Sequence, residues 1–383
     1  MDEVSFFRRY VIPCLVQLMQ SMCIWAVLTY VTIYWVNQGY SHFQVGVLVA
    51  VFPLVSLVLM IPFGIFVDRI APKKLVITSL FIFAAGLAGL LAVQDFWQTL
   101  GFVALGGAGN ALFNNALPAL YFKSLGDKIR GFKLGIFNAA LLIGYGLGPF
   151  FGGFIMPVYG MNGVIVFSML GLVPSFVLCL FLNDVPGSMV RLSDYRTDLS
   201  SKSAIVFIIL VFLFSLHAGA EQSSFSLYLN KEVGLDDSMV GLLFFIHADV
   251  MAILAVFNGI IGDRFNARGR GLAALFYSGI IVSGITNISL FFATSFGTVL
   301  ATRLSHALGD SMVMVTRSLI TSNLFISSRM GGNLGVVTTT VTLATLVGAV
   351  ISGAVPGYAS GFVIAGALAI LAIPLVILTK PEF

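Results

Sequence analysis

The sequence is poor in charged residues and in cysteine. Asp, Glu, Lys and Arg make up 9% of the 383 residues, whereas a soluble domain carries about 25%. So few charges cannot cover a surface that faces water, which excludes a soluble globular protein. A net charge of +4 provides no basic surface and excludes nucleic acid as a partner. The three cysteines all lie in apolar stretches, so no disulfide framework is expected: Cys14, Cys23 and Cys179.

Long apolar runs dominate the chain instead. Hydrophobic residues make up 58% of it, and a helix needs about 20 apolar residues to cross a bilayer. The sequence therefore predicts an all-α integral membrane protein with twelve transmembrane helices, numbered here as spans 1 to 12: 10–35, 43–66, 75–94, 98–121, 132–157, 161–182, 204–228, 239–261, 271–292, 297–320, 333–355 and 361–379. A polar stretch divides the spans into an N-terminal six-helix bundle (1–182), a cytoplasmic central loop (183–203) and a C-terminal six-helix bundle (204–383).

The basic residues predict the orientation, because cytoplasmic loops are enriched in Lys and Arg. With both termini in the cytoplasm, 17 of the 20 basic residues fall on cytoplasmic segments, and only Lys231 falls outside. The other two, Arg303 and Arg317, lie within span 10. We therefore expect a multi-pass protein of the cytoplasmic membrane, with the lipid bilayer as its surroundings and a monomer as its working form.

The two halves of the chain share a short motif. The pattern G-x-x-x-D-R follows span 2 and returns after span 8, 195 residues later. The repeated motif, the number of spans and the central loop together resemble the major facilitator superfamily over the whole length. This resemblance implies two six-helix bundles that move a small molecule by alternating access, without a cofactor. It also implies that the motif residues latch the two halves in the outward-open state: Gly64, Asp68, Arg69, Gly259, Asp263 and Arg264.

Span 5 carries a second pattern of the same superfamily. Its glycines and proline match every position of the family's antiporter motif: Gly135, Gly144, Gly148, Pro149, Gly152 and Gly153. In the family this motif marks proton-coupled efflux antiporters, including multidrug efflux proteins, and implies a close contact with the other half that prevents leak. Span 4 departs from that branch, since Val103 and Gly106 stand where such antiporters carry Arg and Gln.

Ionisable residues inside the spans indicate the coupling site. Of the sixteen acidic residues, Glu221, Asp249 and Asp310 lie within spans 7, 8 and 10, and a histidine lies near each: His217, His247 and His306. The 217/221 and 306/310 pairs have the i, i+4 spacing that places two side chains on one helix face, whereas the 247/249 pair diverges. A charge inside the membrane costs at least about 2.5–3.5 kcal/mol, so these groups should face the bundle interior or water.

Three interpretations of these groups remain open. A desolvated carboxylate has a raised pKa and histidine titrates near neutrality, so the groups could carry protons. Histidine and carboxylate could also bind Mn, Fe or Zn, although no known metal motif is present. Thirdly, the pairs could simply hold helices together. We favour proton coupling, with Glu221 and Asp310 as carriers, assisted by His217, His306, His247 and Asp249, and with Arg303 as a counter-ion or a site for an anionic group.

Uncharged polar residues in the first half are candidates for substrate binding. They could hydrogen-bond a solute, or they could form bonds between helices worth about 1 kcal/mol each. They are Gln17, Gln20 and Trp25 in span 1, Asn110 and Asn114 in span 4, and Asn138 in span 5.

Together these features predict a secondary transporter, most simply a proton-coupled efflux antiporter for a small molecule, with protons as the coupling ion. The alternatives are a proton-coupled symporter for a sugar or an organic anion, since Arg303, His306 and Asp310 resemble the proton relay of sugar symporters, and a divalent-metal transporter. A non-transporting receptor on the same fold is a further alternative. No phosphate-binding G-x-x-x-x-G-K-[ST] motif and no nucleophile–base arrangement is present, which argues against ATP as the energy source and against an enzyme.

Overall fold

The computed structural model describes residues 6–93, 95–126, 128–266 and 271–374, and the regular structure in these ranges is helical throughout. Eight helices within the described ranges are long and apolar enough to cross a membrane. One of them, Arg130–Leu180, contains both span 5 and span 6. The two spans meet at a kink at Gly160, which has a φ of 64° and a ψ of −168°. Glycine adopts this left-handed conformation without steric cost. The count of twelve spans and the cytoplasmic termini stay predictions.

Helices in the first half follow the predicted spans within a few residues. They are Ile12–Asn37 after a π-helical turn at Phe7–Val11, His42–Arg69, Pro72–Ala92, Phe96–Ser124 and Arg130–Leu180. Two begin at side-chain caps: Ser41 forms a capping box with Gln44, and the Asp95 carboxylate accepts the N–H groups of Trp97 and Gln98. Such caps satisfy N–H groups that have no partner within the helix.

Helices in the second half also follow the prediction. They are Lys202–Ala220, Asp237–Asn266, Leu272–Leu290, Phe296–Leu324, Met330–Ala354 and Ser360–Leu371. Span 7 continues beyond Ala220 as two π-helical turns, Glu221–Phe225 and Tyr228–Glu232. The part of span 12 beyond residue 374 lies outside the described residues, as do Arg268, Arg270 and Lys380, which contributed to the predicted orientation.

The central stretch contains a helix that was not predicted, Leu192–Leu199. It is too short and too polar to produce a recognisable apolar run. Its ends suit the helix dipole, since Asp194 lies in the first turn and Arg196 in the last. Tyr195 is the buried residue of this helix.

Two compact units make up the chain. Unit 1 comprises Met1–Leu125, Ala140–Arg191 and Ser327–Val336, and unit 2 comprises Gly126–Ala139, Leu192–Ile326 and Val337–Phe383. Unit 1 thus contains the first turns of span 11, and unit 2 contains the first turns of span 5. The predicted bundle limits at residues 182 and 204 stay a prediction.

Each unit has hydrogen bonds and aromatic contacts that hold its helices in register. In unit 1, the Ser21 hydroxyl donates to the Leu141 carbonyl at 2.8 Å and ties span 1 to span 5. In unit 2, the Tyr228 hydroxyl donates to the Leu290 carbonyl at 2.7 Å, and its ring meets Phe362 at 5.8 Å between centroids. Helices in a membrane associate by packing and hydrogen bonding of this kind, since lipid tails are as apolar as leucine.

Candidate functional site

Five of the ionisable side chains predicted from the sequence meet within unit 2. They come from spans 7 and 10 and form what we call the buried charge cluster: His217, Glu221, Arg303, His306 and Asp310. The i, i+4 spacing within each span sets two groups on one face, and the two faces meet. The Arg303 and His306 side chains are 4% and 1% exposed, whereas Glu221 and Asp310 keep 18% and 13% exposure. The carboxylates are therefore the accessible part of the cluster.

Arg303 and Glu221 form a two-pronged ion pair. Nη1 of Arg303 donates to Oε1 of Glu221, and Nη2 donates to Oε2 at 3.2 Å. This fork matches the planar guanidinium to the planar carboxylate. The Phe225 ring lies 4.6 Å from the Arg303 Cζ and adds a cation–π contact. The π-helical turn that begins at Glu221 is of a kind frequent at functional sites. Of the two roles considered for Arg303, this geometry suits the counter-ion.

His306 lies between the two carboxylates. Its Nε2 is 3.0 Å from Oε1 of Glu221 and 3.2 Å from Oδ2 of Asp310. Neither contact has the direction of a hydrogen bond, so both are close electrostatic contacts. A neutral ring with its lone pair on Nε2 would repel both carboxylates, whereas a ring protonated at Nε2 attracts both.

The other nitrogen of His306 faces two hydroxyl groups of span 9. Nδ1 lies 3.3 Å from the Ser283 hydroxyl and 3.2 Å from the Thr286 hydroxyl. The Ser283 hydroxyl donates to Oδ1 of Asp310 at 2.7 Å, and the Thr286 hydroxyl donates to the Val282 carbonyl at 2.8 Å. Since both hydroxyl hydrogens are used, the oxygens accept, and Nδ1 must carry the hydrogen that it donates.

His217 repeats this arrangement on the other side of Asp310. Its Nδ1 lies 2.5 Å from the Phe214 carbonyl oxygen, and its Nε2 lies 3.2 Å from Oδ2 of Asp310. A carbonyl only accepts, so Nδ1 carries hydrogen, and a second proton on Nε2 makes the contact with Asp310 an ion pair. The cluster can therefore hold a proton between either imidazole and the carboxylate that they share.

His247 and Asp249 have different surroundings. The His247 ring stacks on His306 at 5.9 Å, and its Nδ1 is 3.1 Å from the Arg303 carbonyl oxygen. The Asp249 carboxylate is half-buried and makes no hydrogen bond or ion pair with a residue that the structure describes. The structure therefore brings His247 to the cluster and leaves Asp249 apart, as their i, i+2 spacing indicates.

Ser283, Thr286 and Phe225 contact the cluster although sequence reasoning did not select them. Hydroxyl residues and phenylalanine are common in membrane helices, and most of them only bond their own backbone or pack. The i, i+3 spacing of Ser283 and Thr286 places both hydroxyls on one face of span 9, and that spacing is the only signal that could have found them.

Three members of the cluster could also ligate a metal ion. One atom each of His217, His306 and Asp310 lies within 4.8 Å of the others. Two imidazoles and a carboxylate suit ions such as Mn²⁺, Fe²⁺ and Zn²⁺. Each ring also donates its Nδ1 hydrogen to an oxygen, as ligating histidines do. The donor set thus fits a divalent cation as well as a proton.

Asp68, in the first copy of the repeated motif, is fully buried in unit 1. Its carboxylate accepts the N–H groups of Gly331 at 2.8 Å and Gly332 at 2.7 Å, at the start of span 11, and pairs with Lys123 at 2.8 Å. A negative charge is favourable at a helix start. Gly64 meets the Gly331 backbone so closely that a Cβ would not fit.

Asp263, in the second copy, makes the matching contacts in unit 2. It accepts the N–H groups of Gly131 at 2.6 Å and Phe132 at 2.9 Å, at the start of span 5, while Gly259 packs on the Gly131 backbone. The two arginines differ from the aspartates: Arg69 donates to the Val190 carbonyl at 3.2 Å, and Arg264 is exposed.

Glycines of span 5 pack mainly on span 1. A Cβ on Gly144 would lie 2.5 Å from the Leu18 carbonyl oxygen, and one on Gly148 would lie 2.5 Å from the Met22 carbonyl oxygen. Near Gly152 and Gly153, the Tyr30 hydroxyl donates to the Pro149 carbonyl at 2.8 Å. In unit 2, Gly135 approaches span 8, where a Cβ would lie 2.6 Å from the Ala255 carbonyl oxygen. The leak-preventing role that the resemblance implies for this motif stays a prediction.

The uncharged polar candidates are dispersed. In unit 1, the Gln20 amide donates to Asn110 at 3.4 Å, Trp25 meets the Tyr145 ring at 4.3 Å, Gln17 is buried, and Asn114 is half-buried. In unit 2, the Asn138 amide donates to the Ser318 hydroxyl at 3.4 Å. Their binding role stays a prediction.

Comparison with known proteins gives consistent results. The model of the Major Facilitator Superfamily matches residues 14–218 and 207–383. An uncharacterized MFS-type transporter of Methanocaldococcus jannaschii is 25% identical over 346 residues, 84% of each chain. Multidrug resistance protein 2 of Bacillus subtilis is 25% identical over 66% of each chain. A multi-drug resistance efflux pump PmrA homolog of Lactococcus lactis is 24% identical, over 76% of this chain and 74% of its own.

Solved structures share the fold. The human organic anion transporter MFSD10 (TETRAN) superposes with a TM-score of 0.82 at 16% identity, over 98% of this chain and 100% of its own. A bacterial homologue of the iron transporter ferroportin, in an outward-facing state, superposes with a TM-score of 0.73 at 16% identity, over 97% of this chain and 98% of its own. The chain belongs to the Major Facilitator Superfamily and is a membrane transporter, not an enzyme, with a resemblance to the drug-efflux branch.

Proposed function

We propose that the chain is a proton-coupled antiporter that exports a small molecule across the cytoplasmic membrane by alternating access. The observation that carries this proposal is the contact of two imidazoles with two carboxylates in the buried charge cluster, at 3.0–3.2 Å. Both rings use Nδ1 in other hydrogen bonds, so a proton at Nε2 is what makes these contacts attractive. Histidine exchanges protons near neutral pH, which suits a group that loads and unloads once per cycle.

The members of the cluster take different parts in this proposal. Arg303 holds Glu221 ionised as a permanent counter-ion through the two-pronged pair. Asp310 is shared by His217 and His306, so its interactions depend most on whether those rings are protonated. It is also partly exposed, which gives protons a path to it. We therefore assign proton exchange to Asp310 with His306 and His217.

Alternating access in this proposal uses the two motif aspartates. Each accepts two backbone N–H groups at a helix start. Hydrogen bonds to a charged group contribute about 1.5–3 kcal/mol each, enough to favour one state without locking it. The contacts of Asp68 and Asp263 would break when the protein changes state and re-form on its return.

Export is favoured over uptake by two observations. The antiporter motif of span 5 is complete, and its glycines pack closely on span 1. Relatives from Bacillus subtilis and Lactococcus lactis bear multidrug resistance and efflux names. A divalent-metal transporter is the second candidate, because His217, His306 and Asp310 fit such an ion.

Purified protein in liposomes that contain a pH dye tests the proposal. Lipophilic cations, sugars, organic anions and Mn²⁺ are added outside, one at a time. Antiport predicts alkalinisation of the lumen as a solute enters, and Asp310→Asn should abolish it. Asp249→Asn is the matched control, since this carboxylate lies in a span but outside the cluster, and it should retain coupling. Acidification would show symport, a Mn²⁺ response alone would favour metal transport, and normal coupling in Asp310→Asn would contradict the assignment.

A further inference from the structure

Arg317 is a charged residue of span 10 that is not a member of the buried charge cluster. Its guanidinium is attracted by the charge of Asp310 but makes no hydrogen bond or ion pair with a residue in the described ranges, and it is only partly exposed. Arg303, the other arginine of this span, is already paired with Glu221 through both of its terminal nitrogens. Charged side chains inside the membrane are rare and face a partner, a cavity or water. The unused N–H donors of Arg317 therefore need an explanation.

The direction of Arg317 follows from helix geometry. Exposed residues on one side of span 10 are small or apolar, Ala301 and Leu308 among them, and Leu308 is 40% exposed. Nine residues separate Leu308 from Arg317, and at about 100° per residue that places them on opposite sides of the helix. Arg317 thus points away from the apolar exposed side, which is the side suited to lipid.

Arg317 shares its side of the helix with Asp310. The two are seven residues apart, which returns the helix to nearly the same direction about 10 Å farther along the axis. Asp310, Met314, Arg317 and Ser318 are all partly exposed at the spacing i, i+4, i+7 and i+8, whereas Val313, Val315 and Thr316 beside them are buried. One accessible stripe therefore runs along span 10 from the proton site to the arginine.

A second polar side chain lies next to this arginine. The Asn138 amide donates to the Ser318 hydroxyl at 3.4 Å, a long hydrogen bond between span 5 and span 10 within unit 2. A guanidinium provides five N–H donors in a planar fork that matches a carboxylate, sulfonate or phosphate. Arg317 with Ser318 and Asn138 therefore offers one fixed positive charge and two neutral polar groups to a solute.

We infer that Arg317 binds the anionic group of the transported solute, so that the substrate is an amphipathic organic anion. This inference rests on the proposed transport function and specifies its substrate class. The partly exposed Met314 on the same stripe provides apolar contact between the anion site and the proton site. A lipid phosphate has the same chemistry as the head of such a solute, and the experiment separates the two sources.

Counterflow in liposomes tests the inference without a proton gradient. Purified full-length protein is reconstituted in phosphatidylcholine, with fluorescein as the anionic probe and rhodamine 123 as a cationic probe on the same ring scaffold. Exchange of fluorescein should fall at least tenfold in Arg317→Gln and persist in Arg317→Lys, which retains the charge. Lys231→Gln removes a basic residue at the far end of span 7 and should leave exchange unchanged.

Equal fluorescein exchange by Arg317→Gln and by the unaltered protein would overturn the inference. So would exchange of rhodamine 123 but not of fluorescein by the unaltered protein. A third contrary result is an effect of Arg317→Gln that occurs only in liposomes that contain phosphatidylglycerol. The last result would assign Arg317 to a lipid headgroup. Asp310→Asn distinguishes this inference from the proposed coupling. The anion site is supported if fluorescein exchange persists in Asp310→Asn and is lost in Arg317→Gln. If pH-driven transport also persists in Asp310→Asn, the coupling proposal fails and the anion site does not.

Discussion

At the scale of single residues, the stability of the buried charge cluster depends on the pairing of its charged side chains. Arg303 is almost completely enclosed, and Glu221 is the carboxylate that neutralises it. Removing one partner of a buried ion pair leaves an uncompensated charge, which costs far more than the pair contributes when intact. The pair is thus a structural support for the proposed proton site beside it.

Glu221→Gln should lower the free energy of unfolding by about 3–5 kcal/mol, because it leaves the Arg303 charge buried without its partner. Thermal unfolding of the purified protein in detergent measures this loss. The double variant with Arg303→Gln should recover most of it, since neither charge then remains. If Glu221→Gln is as stable as the unaltered protein, the ion pair does not support the site.

Sequence reasoning found the ionisable members of this site but not its surroundings. His217 with Glu221, and His306 with Asp310, were recognised because charged residues are rare in apolar spans and the i, i+4 spacing pairs them. Ser283 and Thr286 were missed, since a hydroxyl in a membrane helix is common and its partner depends on how helices rotate against each other. That rotation is set by packing, which a single sequence does not reveal.

At the scale of helices, the contact of span 5 with span 1 depends on residues that lack a side chain. Gly144 and Gly148 stand four apart, and both face backbone carbonyl oxygens of span 1. Small residues at this spacing let two helices approach closely. The sequence predicted the close approach of this helix to a neighbour, and its role in preventing leak stays a prediction.

Gly148→Ala should destabilise the protein by about 1–3 kcal/mol and slow transport, because the new Cβ would overlap the Met22 backbone, which cannot move aside as a flexible side chain would. Gly101→Ala is the matched control, since no atom lies within 4 Å of its Cβ position. Thermal unfolding and transport rate are compared for the two variants. Equal behaviour would mean that span 5 tolerates a wider separation from span 1.

At the scale of the whole molecule, the sequence predicted the class of protein correctly because its composition leaves no soluble alternative. The length of the apolar runs fixed nearly every helix to within a few residues. The Leu192–Leu199 helix escaped prediction because length and apolarity were the only guides. The grouping of the first turns of spans 5 and 11 with units 2 and 1 depends on contacts between residues far apart in the sequence, which a single sequence does not reveal.

An imposed pH gradient should drive transport by the purified protein without ATP, since the sequence carries no phosphate-binding motif and the proposed function assigns proton exchange to the buried charge cluster. Solute uptake into liposomes that are acidic inside should exceed equilibration and should fall to it when nigericin collapses the gradient. Uptake that continues undiminished after nigericin would contradict proton coupling.

The joint between spans 5 and 6 is a single residue, Gly160, in a conformation that other residues adopt only with strain. Span 6 therefore follows span 5 with no loop between them. An epitope inserted at Gly160 would have to unwind a helical turn. The polar segment around Leu192–Leu199 is a better place for a tag, because it lies between spans.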